Sequence, residues 1–183
     1  IPNRANLEGI IYNTADGTPR YVIETEELLN YSGDTSFLRD IYPSIVLSTE
    51  QSLSRHTDEN GYLTHADADT WMDVKRKGIP GSPRGNRAND IQYLWFRQLT
   101  AAAHLAQLMN DHEHAAQWQE AAEKVARNFE RDFCNKRELI VYDHLNADGT
   151  PDLQFRPNQL FCFDLIADNL FKQRITRRCW EEL

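Results

Sequence analysis

The segment Thr70-Trp71-Met72-Asp73 places a carboxylate beside a large indole ring. Cleavage of a glycosidic bond requires an acid that protonates the leaving oxygen, and a sugar ring binds well to a flat apolar face. Asp73 is therefore a candidate general acid, and Trp71 is a candidate platform for a sugar ring. Burial of Asp73 beside the indole would favour its protonated form near neutral pH, as such an acid requires.

Asp73 also belongs to an acidic cluster with His65, Asp67 and Asp69, which allows other interpretations. Clusters of this kind are usually solvated surface loops. Oxygen ligands at alternate positions suit Ca²⁺, yet the spacing lacks the glycine and the terminal glutamate of an EF-hand loop. We expect neither a metal site nor a cofactor in this chain.

Polar side chains capable of binding a ligand occur at three further places. Two segments, 13–19 and 156–159, precede predicted helices. The third is a cationic stretch with Lys75, Arg76, Lys77, Arg84 and Arg87. Turns, helix starts and surface charge would account for them equally well. If the segments converge, the substrate-binding residues are Tyr12, Asn13, Asp16, Trp71, Arg84, Asp90, Arg156 and Asn158.

Helices must position these residues, because apolar side chains recur with helical spacing along most of the chain. The predicted helices run over about 19–31, 43–56, 89–110 and 111–133, with another that begins at Pro157 and continues through Leu170. The last residues, 172–183, also carry a helical pattern. A short strand is expected over Leu139–Tyr142, and Gly and Pro interrupt residues 61–88. Irregular segments of that length are usually functional or disordered.

Composition narrows the classes of function. The formal net charge of -8 argues against nucleic acid as a main partner, because phosphate binding requires basic patches. No apolar run is long enough to span a bilayer, so we expect no membrane partner. The 3 cysteines form no Cys-x-x-Cys pair, which favours free thiols in a reducing, cytoplasmic compartment. The first residue is not Met, and the final helical pattern has no capping residue, so we expect the remainder of a longer polypeptide to be the partner of this chain.

Taken together, these segments resemble the amylo-alpha-1,6-glucosidase family, the glucosidase part of glycogen debranching enzymes and its bacterial relatives. The similarity extends in order along almost the whole chain. Its segments are Ile1-Pro2-Asn3-Arg4, Tyr12-Asn13-Thr14-Ala15-Asp16-Gly17-Thr18, Gly33-Asp34, Thr70-Trp71-Met72-Asp73, Pro83-Arg84-Gly85, Leu94-Trp95 and Arg156-Pro157-Asn158-Gln159.

The resemblance implies an all-α fold, an (α/α)6 toroid of which residues 1–183 form only a part of the catalytic domain. It implies inverting hydrolysis of α-glucosidic bonds, in particular α-1,6 bonds, in glycogen-like α-glucans or related oligosaccharides. By position Asp73 is similar to the family's general acid, and Asp16 to a ligand of the non-reducing-end sugar. The family's catalytic base lies further along than Leu183, so the resemblance implies that this fragment alone is inactive.

Two departures from the family leave the substrate open. Asn89-Asp90 stands where relatives usually have Val-Glu, and Phe161-Cys162-Phe163-Asp164 replaces their small residues. The alternative to an enzyme is a non-catalytic helical-toroid domain that binds sugar or acts as a scaffold. A purely helical repeat scaffold would place Trp71, Asp73 and Arg156 far apart.

Overall fold

The computed structural model describes residues 1–183, which form five α-helices and one 3-10 helix. The α-helices are α1 (Gly17–Ser32), α2 (Leu38–Arg55), α3 (Asn89–Leu108), α4 (His112–Phe133) and α5 (Asn169–Glu182), and the 3-10 helix spans Pro157–Leu165. No helix combines the length and the apolar character needed to cross a membrane.

Helix α3 lies at the centre of the molecule, because it packs against α1, α2, α4 and the 3-10 helix. Its alanines let neighbouring helices approach closely, while Trp95 and Leu99 fill the space between them and are fully buried. Helix α4 contributes one apolar face with helical spacing, formed by Ala115, Trp118, Ala122, Val125, Phe129 and Phe133. A single core cluster of 30 buried residues results.

Local side-chain chemistry sets the helix ends. The carboxylate of Asp111 accepts a hydrogen bond from the His114 amide at 3.2 Å, and α4 begins there. Asp168 caps α5 in the same way through the Phe171 amide at 3.0 Å. Helix α1 ends at Gly33, whose φ of 66° is left-handed and whose amide bonds to the carbonyl of Leu29.

Short antiparallel strands connect the irregular segments. The strands are β1 (Arg4–Asn6), β2 (Gly9–Ile11), β3 (Lys75–Arg76), β4 (Ile79–Pro80), β5 (Arg87–Ala88), β6 (Cys134–Asn135), β7 (Ile140–Val141) and β8 (His144–Leu145). They pair as β1 with β2, β3 with β4, β5 with β8, and β6 with β7. The pairing of β5 with β8 brings the loop before α3 against the loop after α4.

The prediction of an all-α (α/α)6 toroid is wrong. Helices hold 54% of the residues, and a further 11% lie in strands and bridges that form small sheets. The sheets around 87–88 and 134–145 arise because buried and half-buried backbone amides and carbonyls there need hydrogen-bond partners that no helix supplies, whereas β3 and β4 pair in a largely exposed hairpin.

Two predicted helix boundaries also differ from the structure. Helix α2 begins at Leu38, so Pro43 lies inside the helix instead of at its start. Residues after Pro157 form a 3-10 helix that ends at Leu165, and α5 begins separately at Asn169. The buried side chains of Asn158 and Gln159 are held by Asp143 and by the Val141 amide, which fixes this turn against the sheets.

Candidate active site

A pocket of about 260 Å³ lies at the N-terminal ends of α1 and α3. Its wall combines carboxylates with aromatic and aliphatic side chains: Asp16, Arg20, Trp71, Asp90, Ile91, Tyr93, Leu94 and Phe161. Three of the predicted site residues therefore meet here, namely Asp16, Trp71 and Asp90. A concave apolar surface with a few convergent polar groups is the usual form of a small-ligand site.

The ends of two helices and one loop position these groups. Asp16 is the residue before α1, and the Ala15 amide next to it donates to the Asp69 carbonyl at 2.7 Å. That hydrogen bond joins the start of α1 to the loop that carries Trp71. The indole is 60% exposed, so its face is open to a ligand.

Asp90 lies in the first turn of α3 and is almost fully buried. Its Oδ1 is 2.7 Å from Arg84 Nη1, although the two atoms are not aligned as a hydrogen bond and the contact is ionic. Burial raises the pKa of Asp90, and the charge of Asp143 acts in the same direction, while Arg84 opposes both. The Asp90 carboxyl forms a buried ion pair with Arg84 at the wall of the pocket.

Behind the pocket, Asp143 binds three predicted site residues. Arg84 donates from Nε to Asp143 Oδ2 at 2.9 Å and from Nη2 to Oδ1 at 3.0 Å. Arg156 Nη1 donates to Oδ2 at 3.0 Å, and Asn158 Nδ2 donates to Oδ1 at 2.8 Å. We call Arg84, Asp90, Asp143, Arg156 and Asn158 the Asp143 cluster.

The Asp143 carboxylate is stabilised in its charged form. Burial alone would raise its pKa, but the hydrogen bond from His144, the charge and hydrogen bonds of Arg84, and the amide of Asn158 overcome this. The pKa of Asp143 is therefore held well below its ordinary value. With two arginines facing two aspartates, the cluster is electrically balanced, as buried charges require.

Asp143 was not among the residues predicted from the sequence. It follows directly on the predicted strand Leu139–Tyr142, and a carboxylate after a buried strand is the one signal that pointed to it. No local motif contains it, because its partners Arg84 and Arg156 are 59 and 13 residues away.

The loop that carries Asp73 contacts this cluster through its neighbour. Asn158 Nδ2 lies 3.6 Å from Met72 Sδ, and the Met72 amide donates to Thr70 Oγ1 at 3.3 Å. The side chain of Asp73 itself is exposed. The expected burial of this carboxylate beside Trp71 is therefore not found among these residues.

Tyr12 and Asn13 do not join the pocket. Tyr12 is exposed and lines a second, wider cavity of about 530 Å³ on the other side of the α1 start, together with His56, His65 and Asp69. Asn13 Oδ1 accepts a hydrogen bond from Asn3 Nδ2 at 2.7 Å, which joins the start of the chain to the segment before α1.

One group of side chains has the composition of a metal site. Ligand atoms of Asp143, His144 and Asp152 lie within 4.8 Å of one another. Both oxygens of Asp143 already accept hydrogen bonds from Arg84, and each accepts one more from Arg156 or Asn158. A cation would have to displace two guanidinium groups, so these residues do not fit a metal ion.

The sequence profile of the family described as Amylo-alpha-1,6-glucosidase matches residues 1–183, which is the whole chain. The chain belongs to the amylo-alpha-1,6-glucosidase family. No curated protein sequence matches the chain.

Solved structures show how far the fold of this family member is shared. A GH78 family rhamnosidase of Bacillus sp. GL1 superposes with a TM-score of 0.75 at 16% identity, over 93% of this chain and 18% of that one. A sialidase superposes with a TM-score of 0.68 at 15% identity, over 96% of this chain and 16% of that one. The chain thus spans about a sixth of the length of these structures. Likeness to these proteins, together with the small sheets, excludes the pure all-α toroid.

Proposed function

We propose that residues 1–183 form part of the catalytic domain of an inverting glycoside hydrolase that cleaves α-glucosidic bonds, in particular α-1,6 bonds. Family membership supports a function related to glycoside hydrolysis. The observation that carries the proposal is the meeting of Asp16, Trp71 and Asp90 in one pocket. The single core cluster supports treating all 183 residues as one structural unit.

The pocket has the features needed to bind a sugar ring. Trp71 and Phe161 are both more than half exposed and offer apolar ring faces. Asp16 and Asp90 supply carboxylate oxygens that accept hydrogen bonds from sugar hydroxyls. With a volume of about 260 Å³, the pocket is below the usual range for drug-sized ligands and suits one small ring.

In this proposal Asp73 is the general acid. Its loop is held by the contact of Met72 with Asn158, and its exposed carboxyl is free to approach a glycosidic oxygen beside the pocket. Inversion also needs a carboxylate base about 6.5–9.5 Å from the acid, with a water between them. We propose that the base comes from outside these residues, and that residues 1–183 alone are inactive.

The test is an assay of the intact protein on α-1,6- and α-1,4-linked glucosides, with the anomer of the released sugar followed by NMR. Release of the β-anomer supports an inverting α-glucosidase, and the ratio of the two rates gives the linkage preference. Release of the α-anomer would rule out inversion. Asp73→Asn in the same preparation tests whether the activity belongs to this site.

A second candidate is a domain that binds sugar without cleaving it. The exposure of Asp73 favours this alternative, because a general acid must be held within hydrogen-bond reach of the leaving oxygen and an exposed side chain is not held in place. Under this alternative, binding of isomaltose to the intact protein is retained while no hydrolysis of any α-glucoside is detected.

A further inference from the structure

We propose that Asp143 is a positioning residue for this site: through Arg84 it places Asp90, and through Asn158 it places the Trp71–Asp73 loop. The inference rests on the proposed function for its catalytic consequence. Its physical content, that one buried carboxylate sets the position of two parts of the pocket, is measurable without catalysis.

The first connection runs through Arg84, whose guanidinium is divided between two carboxylates. Nε and Nη2 are both directed to Asp143, which leaves Nη1 for Asp90 at 2.7 Å. Since a guanidinium is planar and rigid, the fork on Asp143 determines where Nη1 lies. Asp90 therefore takes its place in the pocket wall from a bond that Asp143 forms.

The second connection runs through Asn158. The same Nδ2 group donates to Asp143 Oδ1 at 2.8 Å and contacts Met72 Sδ at 3.6 Å. Met72 lies between Trp71 and Asp73 in the sequence, so a contact with its side chain restrains the backbone that carries both neighbours. The amide orientation of Asn158 is fixed by Asp143, because only the NH₂ end can donate to a carboxylate.

Asp143 can act as a fixed reference because its own backbone is held on both sides. Its carbonyl accepts hydrogen bonds from the Asn89 amide at 2.9 Å and from Arg84 Nη2 at 3.2 Å. It directly precedes β8, which pairs with β5. Its side chain is 1% exposed, so neither water nor solvent ions compete for its oxygens.

The first measurement is an NMR titration of the Asp90 carboxyl carbon in the intact protein. The charge of Asp143 raises the pKa of Asp90, whereas Arg84, which the Asp143 fork holds 2.7 Å from Asp90, lowers it. Asp143→Asn releases Arg84 from the fork and is expected to raise the pKa of Asp90, whereas loss of the Asp143 charge without movement of Arg84 would lower it and overturn the positioning role. The other titratable side chains that face this region are present in both the wild type and the variant. They are Asp16, Arg20, His65, Arg84, Tyr93 and Cys162.

Asp152→Asn is the matched control. Asp152 Oδ2 lies 3.6 Å from His144 Nδ1 and within 4.8 Å of the Asp143 carboxylate, and it forms no ion pair or hydrogen bond with Arg84, Asp90 or Met72. The substitution Asp152→Asn removes one carboxylate charge from the same region and should leave the pKa of Asp90 unchanged. An equal change in both variants would show a general field effect and would overturn the positioning role.

Arg156→Gln covers the case in which Asp143→Asn fails to fold. Arg156 is partly exposed and donates to Asp143 Oδ2 at 3.0 Å. Its loss leaves Arg84 as the only cation on Asp143, so Arg84 is drawn further from Asp90. The pKa of Asp90 should then rise, in the same direction as in Asp143→Asn. No change in Arg156→Gln overturns the proposal.

The second measurement is the affinity of the same variants for isomaltose, determined by titration calorimetry. A displaced pocket wall should weaken binding and hydrolysis together, up to about 10²-fold, because small misplacements have effects of that size. If the wild-type protein hydrolyses no α-glucoside while the pKa of Asp90 responds as expected, the proposed function fails and the positioning role stands. If hydrolysis is present and Asp90 does not respond, the positioning role fails and the function stands.

Discussion

Arg84 and Asp143 form a two-bond fork, with Nε to Oδ2 at 2.9 Å and Nη2 to Oδ1 at 3.0 Å, and both side chains are shielded from solvent. The fork joins the loop before α3 to the segment after β7. The stability of the fold and the position of the candidate site therefore depend on the same contact, since the remaining nitrogen of Arg84, Nη1, lies 2.7 Å from Asp90 Oδ1 in the pocket wall.

Arg84→Leu should destabilise the protein by about 3–5 kcal/mol, because removal of one partner leaves buried carboxylates unpaired. The free energy of unfolding of Arg84→Lys should lie between those of the wild type and Arg84→Leu, since one ammonium group cannot pair with both Asp90 and Asp143. Urea unfolding measures the difference. Arg177→Leu, which removes an exposed ion pair with Glu181, is the control and should change stability little. Equal effects of the two leucine variants would contradict the role assigned to Arg84.

Stability should fall in acid because of Asp143. Its pKa in the folded protein lies below the value of about 3.9 expected in the unfolded chain, so the fold is stabilised when the carboxyl is ionised. This contribution is present above about pH 4 and is lost as the pH falls through the lower, folded pKa. Melting temperatures recorded between about pH 6 and about pH 2 should decrease less steeply in Asp143→Asn than in the wild type. The difference should persist in high salt, since buried pairs are weakly screened.

Gly85→Ala should destabilise the protein through a steric clash beside the cluster. Gly85 has a φ of +56°, and an added Cβ would lie 2.5 Å from His144 Cδ2 and 2.6 Å from the Leu145 carbonyl oxygen. Overpacking of this kind costs about 1–3 kcal/mol, in addition to the strain of a left-handed alanine. Gly78→Ala is the matched control, because its φ is +81° and no atom lies within 4 Å of an added Cβ. Chemical denaturation of both variants separates the clash from the backbone strain.

Asp73→Asn should remove most hydrolysis in the intact protein while leaving fold and sugar binding largely unchanged. Loss of a general acid typically slows a reaction by about 10²–10⁴-fold. The effect should be largest for substrates with a poor leaving group and small for α-glucosyl fluoride, whose fluoride needs little protonation. Asp67→Asn changes another exposed carboxylate of the same loop and serves as the control. Near-normal turnover of an α-1,6-linked oligosaccharide by Asp73→Asn would exclude Asp73 as the acid.

Trp71→Ala should weaken sugar binding without loss of stability. The indole is exposed in the pocket wall, so its removal leaves no cavity in the core. We expect KM to rise about tenfold, equivalent to about 1.4 kcal/mol of lost binding. Trp180→Ala removes an indole that is 89% exposed on α5 and should leave KM unchanged. Steady-state kinetics and thermal melts of both variants provide the comparison.

The long helices could be predicted from the sequence because their apolar spacing alone specifies them. The start of α3 at Asn89 and the end of α4 at Phe133 agree with the predicted limits. Prediction failed where tertiary contacts override local preference. Pro43 is a common first residue of a helix, yet α2 begins at Leu38, and Asn158 is held in a 3-10 turn by Asp143.

The site was only partly predictable for a similar reason. Asp16, Trp71 and Asp90 belong to recognisable segments, and the pocket brings these residues together. Asp143 belongs to no motif, and its importance depends on the distant partners Arg84 and Arg156. Tyr12 belongs to the same segment before α1 as Asp16, but it lines the wider cavity. The backbone at Ala15, which is hydrogen-bonded to Asp69, lies between the two residues in the chain.

The pairing of β5 with β8 has a consequence for the order of folding. The residues it joins flank the whole α3–α4 hairpin, and Arg84 and Asp143 are separated by 59 positions. Closure of such a loop costs entropy before any contact compensates for it, so we expect the hairpin to form first. The ion pair of Arg84 with Asp143 and the pairing of β5 with β8 would then form last, on a hairpin that is already packed. Transient separation of β5 from β8 would expose the charges of the site to water while the core of the hairpin stays intact. We therefore expect the site to unfold locally, separately from the core.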